Sequence, residues 1–226
     1  MILARILCLL GGYCFGLLQT SYIYGKLNGI DIRDYGSGNA GTTNALRVLG
    51  KKAGLIVFLG DFLKAFFAVV VARLIMNQFD ANNIYMYIAY TGFGTVLGHN
   101  FPFYLHFRGG KGIAATAGVI LGFLDPIMIF SCLIAFIVVV AITRYVSLGS
   151  MIIVSIFAIE YGILAYNGRY DFVLSEDVSY RRMIESVVIV GIMALMAIYR
   201  HRANIVRLMH HEENKLGAKK TEAHTN

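Results

Sequence analysis

The stretch IMIFSCLIAFIVVVAIT, residues 127–143, runs for 17 positions without a charged side chain. A helix rises about 1.5 Å per residue, so a segment of this length crosses most of a hydrocarbon layer about 30 Å thick. A helix also satisfies its own backbone N–H and C=O groups, as lipid demands. Apolar stretches of similar character lie at residues 2–24, 53–76, 84–97, 113–124, 145–166 and 184–199, with the polar residues concentrated between them. The expected fold is therefore all-α: a polytopic integral membrane helix bundle of about seven transmembrane helices, in one domain over residues 1–217. The 113–124 stretch is short for a full span and is expected to be tilted, broken or re-entrant. Asp125-Pro126 supplies the break, because a residue before proline disfavours helix.

Composition agrees. Of 226 residues, 58% are hydrophobic, 15% are charged and two are proline, which leaves little chain for a separate soluble domain. The formal charge of +7 fits nucleic acid or anionic lipid and anionic substrates; a chain lying mostly in lipid favours the second, and no nucleic acid partner is expected. Cys8, Cys14 and Cys132 fall in apolar runs without metal-ligand spacing, so neither a disulfide framework nor a metal site is expected. Residues 2–24 carry only Arg5 near their start and read as a retained first span, not a cleaved signal peptide. Residues 218–226 are polar and aperiodic and read as a disordered cytoplasmic tail.

Lysine and arginine accumulate in cytoplasmic loops, so their distribution orients the bundle. With Lys64 set aside as lying within a span, fourteen fall on one side and five on the other. That split places the amino terminus outside and the carboxyl terminus in the cytoplasm. Within the 53–76 run, Asp61 and Lys64 stand three residues apart on one helix face and read as a structural ion pair able to orient the neighbouring loop.

Three polar segments fall together on the predicted cytoplasmic face. The first spans residues 36–47, with Ser37, Gly38, Asn39, Gly41, Thr43 and Asn44 ahead of Arg47. Its glycines let backbone N–H groups approach an anion, and a short helix capped by Thr42 or Thr43 would add its dipole before ending at Gly50. The second holds Gly98-His99-Asn100-Phe101-Pro102 and then Phe107-Arg108-Gly109-Gly110-Lys111-Gly112, leading into the helix that starts at Ile113. Glycines around a lysine at a helix start form a phosphate cradle. It is not a nucleotide P-loop, since Gly112 follows Lys111 where serine or threonine is required. The third is Arg200-His201-Arg202-Ala203-Asn204-Ile205-Val206-Arg207-Leu208 with Glu213 beyond, where His201, Asn204 and Leu208 share a helical face.

Taken together, the three segments resemble the signature loops of the bacterial acyl-phosphate:glycerol-3-phosphate acyltransferases, the PlsY family, over residues 37–213. Asp61 and Lys64 also resemble a charged pair in that family's second helix. One departure falls at His211, where the family usually carries glycine between the last arginine and the glutamate, and it bears on the local turn. The resemblance implies transfer of a fatty acyl group from acyl phosphate to glycerol 3-phosphate at the inner membrane's cytoplasmic face, giving lysophosphatidic acid and inorganic phosphate. It implies no cofactor and no obligate protein partner beyond membrane lipid. None of the six histidines is followed five residues later by aspartate, the pairing that thioester-using acyltransferases employ.

On this reading Ser37, Arg47, Lys111, His201 and Asn204 form the catalytic set. Gly38, Asn39, Gly41, Thr43, Asn44, His99, Gly109, Gly110, Gly112, Arg207 and Glu213 bind the substrates. The family assigns the Gly109–Gly112 loop to glycerol 3-phosphate. The proton acceptor is His201, whose ordinary pKa lies near neutrality, or the leaving phosphate itself. Ser37 as an acylated nucleophile is the lesser alternative, since no histidine or acid lies near it in sequence. Two other classes compete: a transporter of organic phosphates, which needs polar groups through the mid-membrane, and a non-catalytic lipid-binding subunit, which needs no Ser37, Asn39, Asn44 or Asn204.

Overall fold

The computed structural model describes residues 2–170 and 177–217, so the tail expected at 218–226 lies outside the described residues. Its α-helices, in chain order, are α1 Ile2–Gly16, α2 Thr20–Leu27, α3 Thr42–Leu49, α4 Lys51–Phe79, α5 Ile84–Asn100, α6 Ile113–Gly122, α7 Pro126–Thr143, α8 Val146–Tyr166, α9 Asp177–Arg200 and α10 Arg202–Met209. The protein is an all-helical integral membrane bundle. Among the described residues, five segments are long and apolar enough to span by length and composition: Ile2–Leu27, Lys51–Phe79, Pro126–Thr143, Val146–Tyr166 and Asp177–Arg200. Phe130, Ile134, Ile137 and Leu195 point outward from these helices, a surface suited to lipid.

The first apolar run is not one straight helix. It breaks between Gly16 and Thr20, where buried Gln19 donates its side-chain amide to the His99 carbonyl at 2.9 Å. The break is thereby tied to the end of α5. Closer to the middle, Gly12 and Gly16 of α1 face Gly94 and Gly98 of α5. A Cβ on any of the four would stand 2.1–2.2 Å from a carbonyl oxygen of the opposing helix. In lipid, where no hydrophobic effect pulls helices together, such four-residue glycine spacing brings backbones into van der Waals contact.

The expected break before α7 is present: Asp125 accepts from the Ile127 amide at 2.9 Å and Pro126 opens the helix. At this end of the bundle Tyr85, Tyr170 and Tyr161 stack, with Tyr85–Tyr170 ring centroids 4.2 Å apart, and Phe123 meets Tyr161 edge-on. Arg169 bridges to Asp125 at 3.0 Å, and Arg5 pairs with Glu185 at 2.7 Å. These contacts leave the opposite end, where α5 and α9 finish and α6 begins, to the three polar segments.

Candidate functional site

The second polar segment turns back on the helix that precedes it. Gly109 and Gly110 donate to the carbonyls of Asn100 and His99, both at 3.1 Å, so the loop folds against the last turn of α5. A Cβ on Gly110 would stand 2.1 Å from His99 Nε2 and 2.7 Å from the Ala40 carbonyl, so at this position the loop is pinched between α5 and the first segment. Gly112 takes φ +82° and starts α6, a conformation side chains other than glycine resist.

Beneath the loop lies the charged pair. Lys64 Nζ donates to Asp61 at 2.8 Å, to the Leu18 carbonyl at 2.5 Å and to His99 Nδ1 at 3.0 Å, and all three side chains are buried. With Nδ1 accepting, the ring proton of His99 falls on Nε2, beside Gly110. The ion pair read from sequence is thus also the support of the glycine loop.

In the first segment Asn44 is wholly engaged. Its side chain accepts from the Ser37 amide at 2.9 Å and donates to the carbonyls of Ile32 and Tyr35 at 3.1 and 3.0 Å. It shapes the loop and has no donor left for a ligand. Gly41, and not Thr42 or Thr43, caps α3: its amide bonds the Asn39 carbonyl at 3.0 Å, so the chain enters the helix before either threonine. Ser37, Gly38 and Thr43 are exposed and Asn39 is half-buried. Among the described residues the Ser37 hydroxyl and the half-buried Arg47 guanidinium meet no hydrogen-bonding partner. Arg33 ties this segment to the second: it grips Asp31 at 2.7 and 2.9 Å and donates to the Leu105 carbonyl at 3.1 Å. That guanidinium holds the Asp31 carboxyl down at about 2.

The third segment closes over the second. Arg200 donates to the carbonyls of Gly109 and Gly110 at 3.1 and 2.8 Å and stacks on Phe101. Lys111 then donates to Asn204 Oδ1, Asn204 Nδ2 donates to Glu213 at 2.9 Å, and Arg207 holds the other Glu213 oxygen at 2.8 Å. A single chain of four side chains therefore links the glycine loop to α10. Burial, followed by the charge of Arg207, pushes Lys111 down to about 8. Burial pushes His201 down to about 4; its Nδ1 lies 2.7 Å from the Ala197 carbonyl, so the ring is neutral at physiological pH with Nε2 unprotonated.

Most of the sequence-predicted residues thus gather at one end of the bundle. Lys111, Asn204, Arg207 and Glu213 are in direct contact, and His99, Gly109 and Gly110 pack beneath them. Arg47 reaches them through its field on Lys111. Arg200 holds two glycine carbonyls, a role sequence reasoning left undetected because a basic residue at a span end already has a topological explanation. At His211 the backbone is left-handed, φ +58°, the conformation a glycine would supply without strain.

The fold and site define an integral membrane protein with basic and polar side chains gathered at one end of a helical bundle. A family model for glycerol-3-phosphate acyltransferases matches residues 6–211, and the chain belongs to that family. It is 39% identical over 224 residues to the glycerol-3-phosphate acyltransferase of Clostridioides difficile (strain 630), covering 97% of this chain and 98% of the relative. The corresponding enzyme of Halalkalibacterium halodurans is 39% identical over 215 residues, covering 95% and 96%. Among solved structures, the fold matches PlsY, an integral membrane glycerol 3-phosphate acyltransferase, in its glycerol 3-phosphate form. The TM-score is 0.76 at 30% identity, over 94% of this chain and 96% of that one. The lysophosphatidic acid form of PlsY matches with a TM-score of 0.73 at 29% identity, over 94% and 95%. Acyltransferase membership sets aside the transporter and lipid-binding-subunit readings.

Proposed function

We propose that the protein transfers an acyl chain from acyl phosphate to the sn-1 hydroxyl of glycerol 3-phosphate, releasing lysophosphatidic acid and inorganic phosphate. The observation that carries this reading is the Lys111–Asn204–Glu213–Arg207 chain, which holds the Lys111 ammonium at the glycine loop within electrostatic reach of the unpaired Arg47. Two anionic reactants must meet here, so relief of their repulsion and positioning supply most of the catalysis. Lys111 and the Gly109–Gly112 backbone hold the acceptor's phosphate. Ser37, Asn39, Thr43 and Arg47 face the donor's phosphate and the developing carbonyl oxyanion, on a loop that Asn44 keeps in shape. The acceptor oxygen forms the new ester bond to the acyl carbon as the carbon–oxygen bond to phosphate breaks.

The leaving phosphate takes the hydroxyl proton more readily than His201, whose conjugate acid near 4 makes it a weak base. His201 and Asn204 then orient the substrate. The membrane domain covers residues 1–217, and α5 and α6 join the five long segments to give seven spans. The amino terminus lies outside, and the site faces the cytoplasm across the inner membrane, as the fourteen-to-five split of basic residues favours. No cofactor and no obligate protein partner enter the reaction. Purified protein is expected to form lysophosphatidic acid from acyl phosphate and not from acyl coenzyme A; the reverse preference overturns the donor assignment.

A further inference from the structure

Beyond α10 the described residues, 210–217, stay against the bundle. The Glu212 amide bonds the Arg207 carbonyl at 2.8 Å, and the left-handed His211 turns the chain so that residues 213–217 run back toward the turn between α7 and α8. There Leu216 is gripped from both sides: its amide donates to the Arg144 carbonyl at 2.7 Å. Arg144 Nε and Nη2 in turn donate to the Leu216 carbonyl at 3.1 and 2.7 Å. Lys215 lies over the Tyr145 ring. Between the two anchors Glu212 and Asn214 face outward, and the Glu213 side chain turns in, 6% exposed, onto Asn204 and Arg207.

We propose that Arg144 is a positioning residue for the acyl transfer, pinning residues 213–217 so that Glu213 fixes Asn204 and, through it, Lys111. An acid held by one anchor alone would sample other orientations, and Asn204 would then lose the bond that sets its amide. Lys111 would be left facing Arg207 from α10, Arg200 from α9 and Arg47 from α3 with less of the Glu213 carboxylate that offsets them. The inference rests on the reading above that Lys111 binds the acceptor's phosphate.

The test uses full-length protein in detergent. Arg144→Ala is expected to raise the glycerol 3-phosphate KM about fivefold, the size of one ordinary hydrogen bond, with kcat less affected. The alkaline limb of kcat/KM should move to lower pH, which loss of packing alone would not produce. Arg144→Lys, which keeps one donor, should recover part of both. In a Glu213→Gln background the Arg144→Ala change should add little, because its effect passes through that carboxylate. Additive effects across this cycle, or an unmoved KM and pH limb in Arg144→Ala, overturn the proposal. An unchanged KM in Lys111→Ala would instead remove the underlying reading; a raised KM there with no response to Arg144→Ala removes the Arg144 role alone.

Discussion

Replacing Lys111 with alanine is expected to raise the glycerol 3-phosphate KM by about 10- to 100-fold, the range for losing a charge-assisted hydrogen bond of about 1.5–3 kcal/mol. The bundle should still fold, because Lys111 sits in a loop whose backbone is fixed by His99, Asn100 and Arg200. The same residue sets a pH dependence. The ammonium is the form that binds a dianion, and burial together with Arg207 brings its pKa down to about 8. The kcat/KM should therefore fall as pH rises through about 8, where an ordinary lysine would hold its proton to about 10. Steady-state kinetics across that range checks both points. An unchanged KM removes Lys111 from acceptor binding, and a plateau extending to pH 10 removes its perturbed ionisation.

Asp61→Ala is expected to cost about 3–5 kcal/mol of stability, the usual consequence of leaving a buried cation without its partner. Lys64 would keep the Leu18 carbonyl and His99 as neighbours, but neither carries a compensating charge. Activity should fall with stability, since His99 forms the floor under Gly110. Replacing Asp61 and Lys64 together by Leu and Met should restore most of the lost stability while leaving His99 unanchored and the acceptor KM raised. Thermal unfolding in detergent reads the first effect and kinetics the second. A single replacement that unfolds within about 1 kcal/mol of the parent would show that the pair is not structurally committed.

The helices were legible because lipid enforces one rule along the whole chain: uncharged runs bounded by polar residues, as in 127–143. The breaks were harder. The bend at Gln19 depends on a carbonyl of His99 eighty residues away, and no local signal marks it. The site was legible in residue type but less so in role. Asn44 and Arg47 look alike as polar members of one loop, yet three hydrogen bonds commit Asn44 to the backbone while Arg47 stays unpaired. The α3 cap moved to Gly41 because a turn at Asn39 outweighs threonine's capping preference. His201 carries the residue type of a base near neutrality, and only its burial reveals how weak a base it is. At His211 the chain takes the left-handed form that glycine would take more easily.

The proposed convergence of the three loops on the cytoplasmic face is tested most directly by thiol accessibility in oriented membrane vesicles. Tyr35, His106 and Asn214 are exposed, one beside each segment, and each can carry a cysteine once the exposed native Cys14 is replaced by serine. A charged, membrane-impermeant maleimide should label all three in inside-out vesicles and none from the outer face. Labelling of any one of them only from the outer face would contradict a single pocket built within one subunit.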